Sequence, residues 1–142
     1  MFIEPTQEQG MYFVQHAPSG PITMLNLLQF REVADYSAHP DLAPPEPISG
    51  REAYERYTRH TMPILEAEGG SVTFLGSAGR MLIGPTDVRW DMVMLVTHAS
   101  AAAFLAMASN AAYLEGVGHR TAALADSRLL PIEAISGSVG TP

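Results

Sequence analysis

The strongest pattern in the chain lies at residues 21–31, PITMLNLLQFR, where apolar side chains fall on both alternating faces. Ile22, Met24, Leu28 and Phe30 share one face, and Leu25 and Leu27 occupy the other. A strand apolar on both sides is covered on both sides, so this run predicts a strand in the middle of a sheet. Asn26 breaks the pattern. Asparagine suits a strand poorly, and a buried carboxamide must find hydrogen-bond partners. By alternation it shares the face of Met24 and Leu28. Whatever layer covers that face decides whether Asn26 lines a pocket or an interface.

Residues 89–98, RWDMVMLVTH, give a second two-sided strand, with Trp90, Met92, Met94, Val96 and His98 on one face and Asp91, Val93, Leu95 and Thr97 on the other. A long strand pair or bent strand is predicted at 71–84, opened by Val72, Phe74 and Leu75, loosened by Gly76 and Gly79, and closed by Met81-Leu82-Ile83. A last strand is predicted at 127–135, where Pro131 restricts it to an edge or a bulge.

Helical signals separate these runs. Thr6 caps a short first helix with a partial apolar side at Met11, Tyr12 and Val14, and Pro18-Ser19-Gly20-Pro21 ends it. Ser49-Gly50-Arg51-Glu52 is a capping-box pattern, followed by Tyr54, Tyr57, Thr61, Ile64 and Leu65 on one helical side. Pro63 predicts a kink and Gly69-Gly70 a stop. Ser100 caps a helix carrying Phe104, Leu105 and Met107. Asn110 starts a further turn with Tyr113 and Leu114, Gly116 and Gly118 are expected to interrupt it, and 119–125 resumes as helix. Residues 32–49, with prolines at 40, 44, 45 and 47, predict a surface excursion.

The order β-α-β-β-α-β predicts an α+β fold of the ferredoxin-like type, a four-stranded antiparallel sheet with its first and third strands central. Two helices cover one face, and the other is left apolar for a second copy. The expected organisation is an N-terminal helical extension at 1–20, one domain at 21–135 with its Pro-rich loop at 32–49, and a disordered tail at 136–142.

Composition reinforces the dimer expectation: 46% hydrophobic against 16% charged residues leaves apolar surface in need of cover. A net charge of −7 argues against nucleic acid as a partner, because phosphate contacts need clustered cations. Every basic residue is arginine or histidine, with no lysine, which favours planar, bidentate contacts with carboxylates. The absence of cysteine excludes disulfides, thiolate catalysis and Cys-type metal sites. MFIEPTQEQG lacks the features of a signal peptide, and the apolar stretch 99–114 is shorter than a membrane span, so a cytoplasmic protein without a membrane partner is expected.

The five histidines show no HxH, HxxxH or HExxH spacing, so neither a metal site nor a bound cofactor is expected. No GxGxxG, Walker or GxSxG pattern is present. The best reactive pair is His119-Arg120: a histidine titrates near neutrality, and an adjacent arginine can hold a carboxylate or enolate. A capping and ion-pair role with Asp126 is its structural alternative. His119, Asn26 and His60 are the candidate catalytic residues. Arg120, Tyr54, Tyr57, Trp90, Met107 and Tyr113 are the candidate substrate-binding set, an aromatic lining with few polar anchors. Asn26 tying down backbone or a tyrosine hydroxyl is the competing reading.

The runs GREAYERYTRHTMPILEAEGG, WDMVMLVTHASAAAFLAM and AAYLEGVGHRTAALADSRLL resemble a domain family of unknown function within the dimeric α+β barrel superfamily. Its pattern is a helix with spaced tyrosines, a Gly-Gly stop, a hydrophobic strand leading to a serine-capped helix, and an arginine-bearing helix before the last strand. The resemblance covers about residues 21–135, and the Pro-rich insertion and N-terminal helix depart from shorter members. It implies a homodimer with two four-stranded sheets face to face and helices outside. Related families include cofactor-free quinone-forming monooxygenases, small-lactone isomerases and haem-dependent enzymes. The implied function is a cofactor-free monooxygenase- or isomerase-like enzyme acting on a planar enolisable or phenolic small molecule. The alternative is a non-catalytic metabolite-binding or structural homodimer.

Overall fold

In the computed structural model, which describes residues 1–135, the strand expected around Asn26 is β1, Ile22–Phe30. The disordered tail expected at 136–142 lies outside the described residues. The other strands are β2 (Ser71–Ser77), β3 (Met92–His98) and β4 (Leu124–Ile132). All neighbours are antiparallel, in the order β2-β3-β1-β4, so the two most doubly apolar strands are central as the sequence predicts. Helices α1 (Gln7–His16), α2 (Gly50–Ala67), α3 (Ala101–Ala108) and α4 (Ala111–Ala123) complete a ferredoxin-like α+β fold with an additional N-terminal helix. Thr6 and Gln9 cap α1 reciprocally, and Ser49, Ser100 and Asn110 cap α2, α3 and α4 through their side chains.

The two faces of the sheet differ sharply. Ile22, Met24, Asn26 and Leu28 are buried, whereas Thr23, Leu25, Leu27 and Gln29 between them are only half-buried. The buried face meets α2, α3 and α4: Leu28 packs with Tyr54, Ala122 and Ala123, while Val96 packs with Leu65 and Met107. Asn26 is therefore on the helix-covered side. The open side carries Leu25, Leu27, Val93 and Leu95, flanked by Phe74 on β2 and by Leu130 and Ile132 on β4.

Several boundaries differ from the sequence expectation, among them the end of β4, at Ile132 rather than Ile135. Strand β2 stops at Ser77, and Met81-Leu82-Ile83 lies in the connection to β3, where Arg80 and Arg89 form an isolated bridge. Strand β3 begins at Met92 rather than Arg89, because Asp91 turns its carboxylate onto the Phe30 amide, 2.8 Å away. Helix α4 runs unbroken through Gly116 and Gly118, and it ends at Ala123 so that β4 starts three residues early, at Leu124. Pro131 sits on an edge strand, paired only towards Met24 of β1, where a missing donor is tolerated. Helix α2 continues through Pro63 to Ala67.

The Pro-rich excursion is fastened to the domain. Ala34 N donates to Ile48 O and Asp35 N to Ala122 O, each at 2.9 Å, and a turn closed by His39 N on Tyr36 O leads into the 3₁₀ segment Pro40–Leu42. Tyr36 is buried at 9% exposure against Ala122 and Leu124. His39 and Leu42 fill the space beside Gly118, where a Cβ would lie 2.7 Å from each. The same crowding fixes the start of α2. A Cβ on Gly50 would collide with the Arg31 carbonyl oxygen and lie 2.6 Å from that of Ala123. These are backbone atoms that cannot move without opening the loop. Gly50→Ala is thus expected to cost about 3 kcal/mol and lower Tm by about 10 °C, checked by calorimetry. Gly10→Ala, in open space on α1, is expected to leave Tm unchanged or higher.

Candidate functional site

The chemistry-bearing side chains converge where α4 crosses α2. Gly116 makes that crossing possible, because the His60 imidazole lies where its Cβ would project. His60 Nε2 then donates to the Ala112 carbonyl at 2.6 Å, which places its proton on Nε2. One turn back on α2, the Tyr57 hydroxyl meets that of Tyr113 at 2.9 Å. Tyr54 continues the layer, with ring centroids 5.2 Å from Tyr57 and 5.4 Å from Phe30. Burial pushes the Tyr54 phenol up to about 12, while the neighbouring Tyr113 phenol also raises it and Arg120 opposes the rise. Tyr57 is driven well above the ordinary phenol range for the same first reason, burial. Both phenols are neutral at physiological pH, and that of Tyr57 is hydrogen-bonded.

A second pair lies on the loop side of the same helices. The Tyr36 hydroxyl is 2.7 Å from His119 Nδ1, with the rings edge to face. Burial, and then the charges of Arg56 and His60, hold the His119 pKa below its ordinary value. At neutral pH the imidazole is uncharged and able to accept a proton. Sequence reasoning missed Tyr36. Its available signal was a single aromatic residue within a loop otherwise rich in proline and acidic residues.

The remaining candidates are spent on local structure. Asn26 Nδ2 donates to the carbonyls of Met24 at 3.2 Å and Met94 at 3.4 Å, so its amide ties down backbone. Arg120 Nη1 donates to Ile3 O at 2.7 Å, fastening the N-terminal segment. The Asp126 ion pair expected of the His119-Arg120 pair does not form. Although burial opposes ionisation of Asp126, the Phe2 amide and Arg128 hold its carboxyl below the ordinary range. Met107 and Tyr113 belong with Leu65 and Val96. Trp90 is separate from the tyrosines: its ring lies under the Arg128 guanidinium at 5.2 Å, and Phe2 lies against the same guanidinium at 4.7 Å.

The expected pocket between sheet and helices is thus occupied by the protein's own side chains, with Leu28 at 0% and Tyr54 at 3% exposure. The openings that occur instead are shallow, formed by the exposed side chains of α1 alone, beside Met11 and Gln15. Among the described residues, no three His, Asp or Glu side chains stand close enough to hold a metal ion.

His98 is also buried, edge to face with Phe104, and burial lowers its pKa. Both His98 and His119 bind protons less readily in the fold than in the unfolded chain. Their contribution is complete above the unfolded value, about 6.5, and declines as pH falls through that value towards the lowered folded ones. Asp35 and Asp126, both held low, titrate below this window. Tm is expected to be level above about pH 7 and to fall as the pH drops below about 6.5. Calorimetry of the His98→Gln, His119→Gln double variant should show a shallower fall.

Two solved structures resemble the whole chain closely. One is RPA0582, a protein of unknown function from Rhodopseudomonas palustris, at 40% identity over 94% of this chain and 97% of that one, with a TM-score of 0.82. The other is methylated RPA0582, at 38% identity over 99% and 98%, with a TM-score of 0.86. A dabb family protein with a ferredoxin-like fold from Mesorhizobium loti is a remote match, at 14% identity over 82% and 99%, with a TM-score of 0.46. No protein-family model and no curated protein matches the chain. At this identity and coverage, the chain belongs to the same family as RPA0582.

Proposed function

We propose that the protein works as a homodimer, its sheets packed open face to open face, and serves as a structural or metabolite-binding assembly. The observation that carries this reading is the unpartnered apolar face: Leu25, Leu27, Val93 and Leu95 are only half-buried in the protomer, with Phe74 and Leu130 each 54% exposed at its margins. A patch of this kind on a soluble domain is an interaction surface, and a second copy offers the same apolar face in return. No helix among the described residues is long and apolar enough to cross a membrane. A cytoplasmic setting suits a chain that needs no disulfides. Light scattering at micromolar concentration is expected to give a two-chain mass. Leu27→Asp buries a charge in that interface and should weaken dimerisation at least a hundredfold, about 3 kcal/mol, with an unchanged circular dichroism spectrum. A wild-type monomer at that concentration would sink the reading.

A specific geometry favours a second reading, a cofactor-free enzyme of the monooxygenase or isomerase kind. An uncharged His119 held by the buried Tyr36 hydroxyl is suited to remove a proton from a phenolic or enolisable small molecule. The Tyr54, Tyr57 and Tyr113 layer, packed between sheet and helices, and Arg120, held on Ile3 O, would support His119 without contacting that molecule. His60 and Asn26, each bonded to backbone carbonyl, would hold the helices and sheet in place around it. Against a panel of phenols and lactones, His119→Ala is expected to lose about a hundredfold or more in turnover. Tyr36→Phe should lose less and shift the acid limb of the pH profile. Undiminished turnover in an Asn26→Ala, His119→Ala double variant would remove the assignment.

A further inference from the structure

The connection between β2 and β3, residues 78–91, is an ordered arm with an apolar tip. Ala78 N donates to Asp91 O at 3.2 Å and Trp90 N to Gly79 O at 3.0 Å, and the Arg80–Arg89 bridge continues the two limbs outward. Beyond that bridge, Leu82 is 99% and Ile83 92% exposed, so the tip has no apolar contact of consequence within its own protomer. Two large apolar side chains left in water at the tip of an arm hydrogen-bonded at its base make a docking element.

The occupant follows from the edges of the sheet. On β2, Phe74 and Leu75 point to opposite faces and are 54% and 59% exposed. On β4, Leu129 and Leu130 likewise alternate and are 43% and 54% exposed. A free edge that is apolar on both faces is a template for a strand beside it, in addition to whatever partner covers the open face. A second copy supplies what both edges lack, β2 of one protomer beside β4 of the other about a two-fold axis along the strands.

The pairing registers then place the arm. Ser77 pairs with Met92, Met92 with Leu28, and Leu28 with Ser127, so the arm leaves β2 at the level of Ser127. At that level Phe2 is fixed by Ser127 Oγ and by Asp126, with its ring 57% exposed. We propose that residues 78–91 form a reciprocal clasp, in which Leu82 and Ile83 of one protomer pack on the partner's Phe2 at the outer edge of β4. The inference rests on the homodimer reading and deepens it.

The chain has no cysteine, so single-cysteine variants report contacts without background. When Leu82→Cys chains are mixed with Phe2→Cys chains and oxidised, a disulfide-linked heterodimer is expected. Leu82→Asp, Ile83→Asp should weaken dimerisation at least tenfold while circular dichroism stays unchanged. A wild-type dimer with no cross-link and no loss in the Asp variant overturns the clasp and leaves the homodimer standing. A wild-type monomer removes both. Flotation of the wild-type chain with phosphatidylglycerol vesicles, lost in the Asp variant, assigns the tip to a membrane surface and overturns the clasp.

Discussion

The close approach of α4 to α2 and to the start of the Pro-rich loop is the constraint on which the rest of the structure depends. Gly50 lets the helix begin against two backbone carbonyls, and Gly116 and Gly118 leave room for His60 and for His39 with Leu42. Glycine inside a helix costs about 1 kcal/mol relative to alanine. Here that cost is offset by burial of the groups that fill the freed space. Without the approach, Tyr57 and Tyr113 would not share a hydrogen bond, and Tyr36 would not reach His119. The sheet provides a flat support, but the helix crossing decides which polar groups meet.

Much of the architecture was legible in the sequence because it follows from period and punctuation. Two-sided apolar runs identified the central strands, Pro131 limited its strand to an edge or a bulge, of which the edge is found, and Ser49, Ser100 and Asn110 identified helix starts. Where the reading erred, a local rule was overridden by packing. Gly116 and Gly118 have the signature of a helix break, yet a buried crossing needs small residues, and nothing local distinguishes those two demands. Met81-Leu82-Ile83 reads as strand by composition. With no neighbour on either side beyond the Arg80–Arg89 bridge, those residues have no sheet to join.

The site was less legible, for a different reason. Side-chain type is visible in a sequence, but the partner that satisfies each polar atom is not. Asn26 faces the helices, the arrangement under which it would line a pocket, yet its amide is used by two carbonyls of the sheet. Arg120 was paired in expectation with a ligand, whereas it holds Ile3, which is 117 residues away in sequence. Tyr36 became significant only once the loop folded back over α4. Long-range pairings of this kind depend on loop closure, for which the chain carries no periodic signal.

One further consequence is spectroscopic. The chain has a single tryptophan, and Trp90 sits where three pieces of the molecule meet: the base of the 78–91 arm, the edge strand through Arg128, and the N-terminal segment through Phe2. Its indole is buried and stacked under a guanidinium, so its emission reports that junction alone, unmixed with signal from any other indole. The protein therefore carries its own optical probe of the end of the sheet where the arm, the edge and the N-terminus converge.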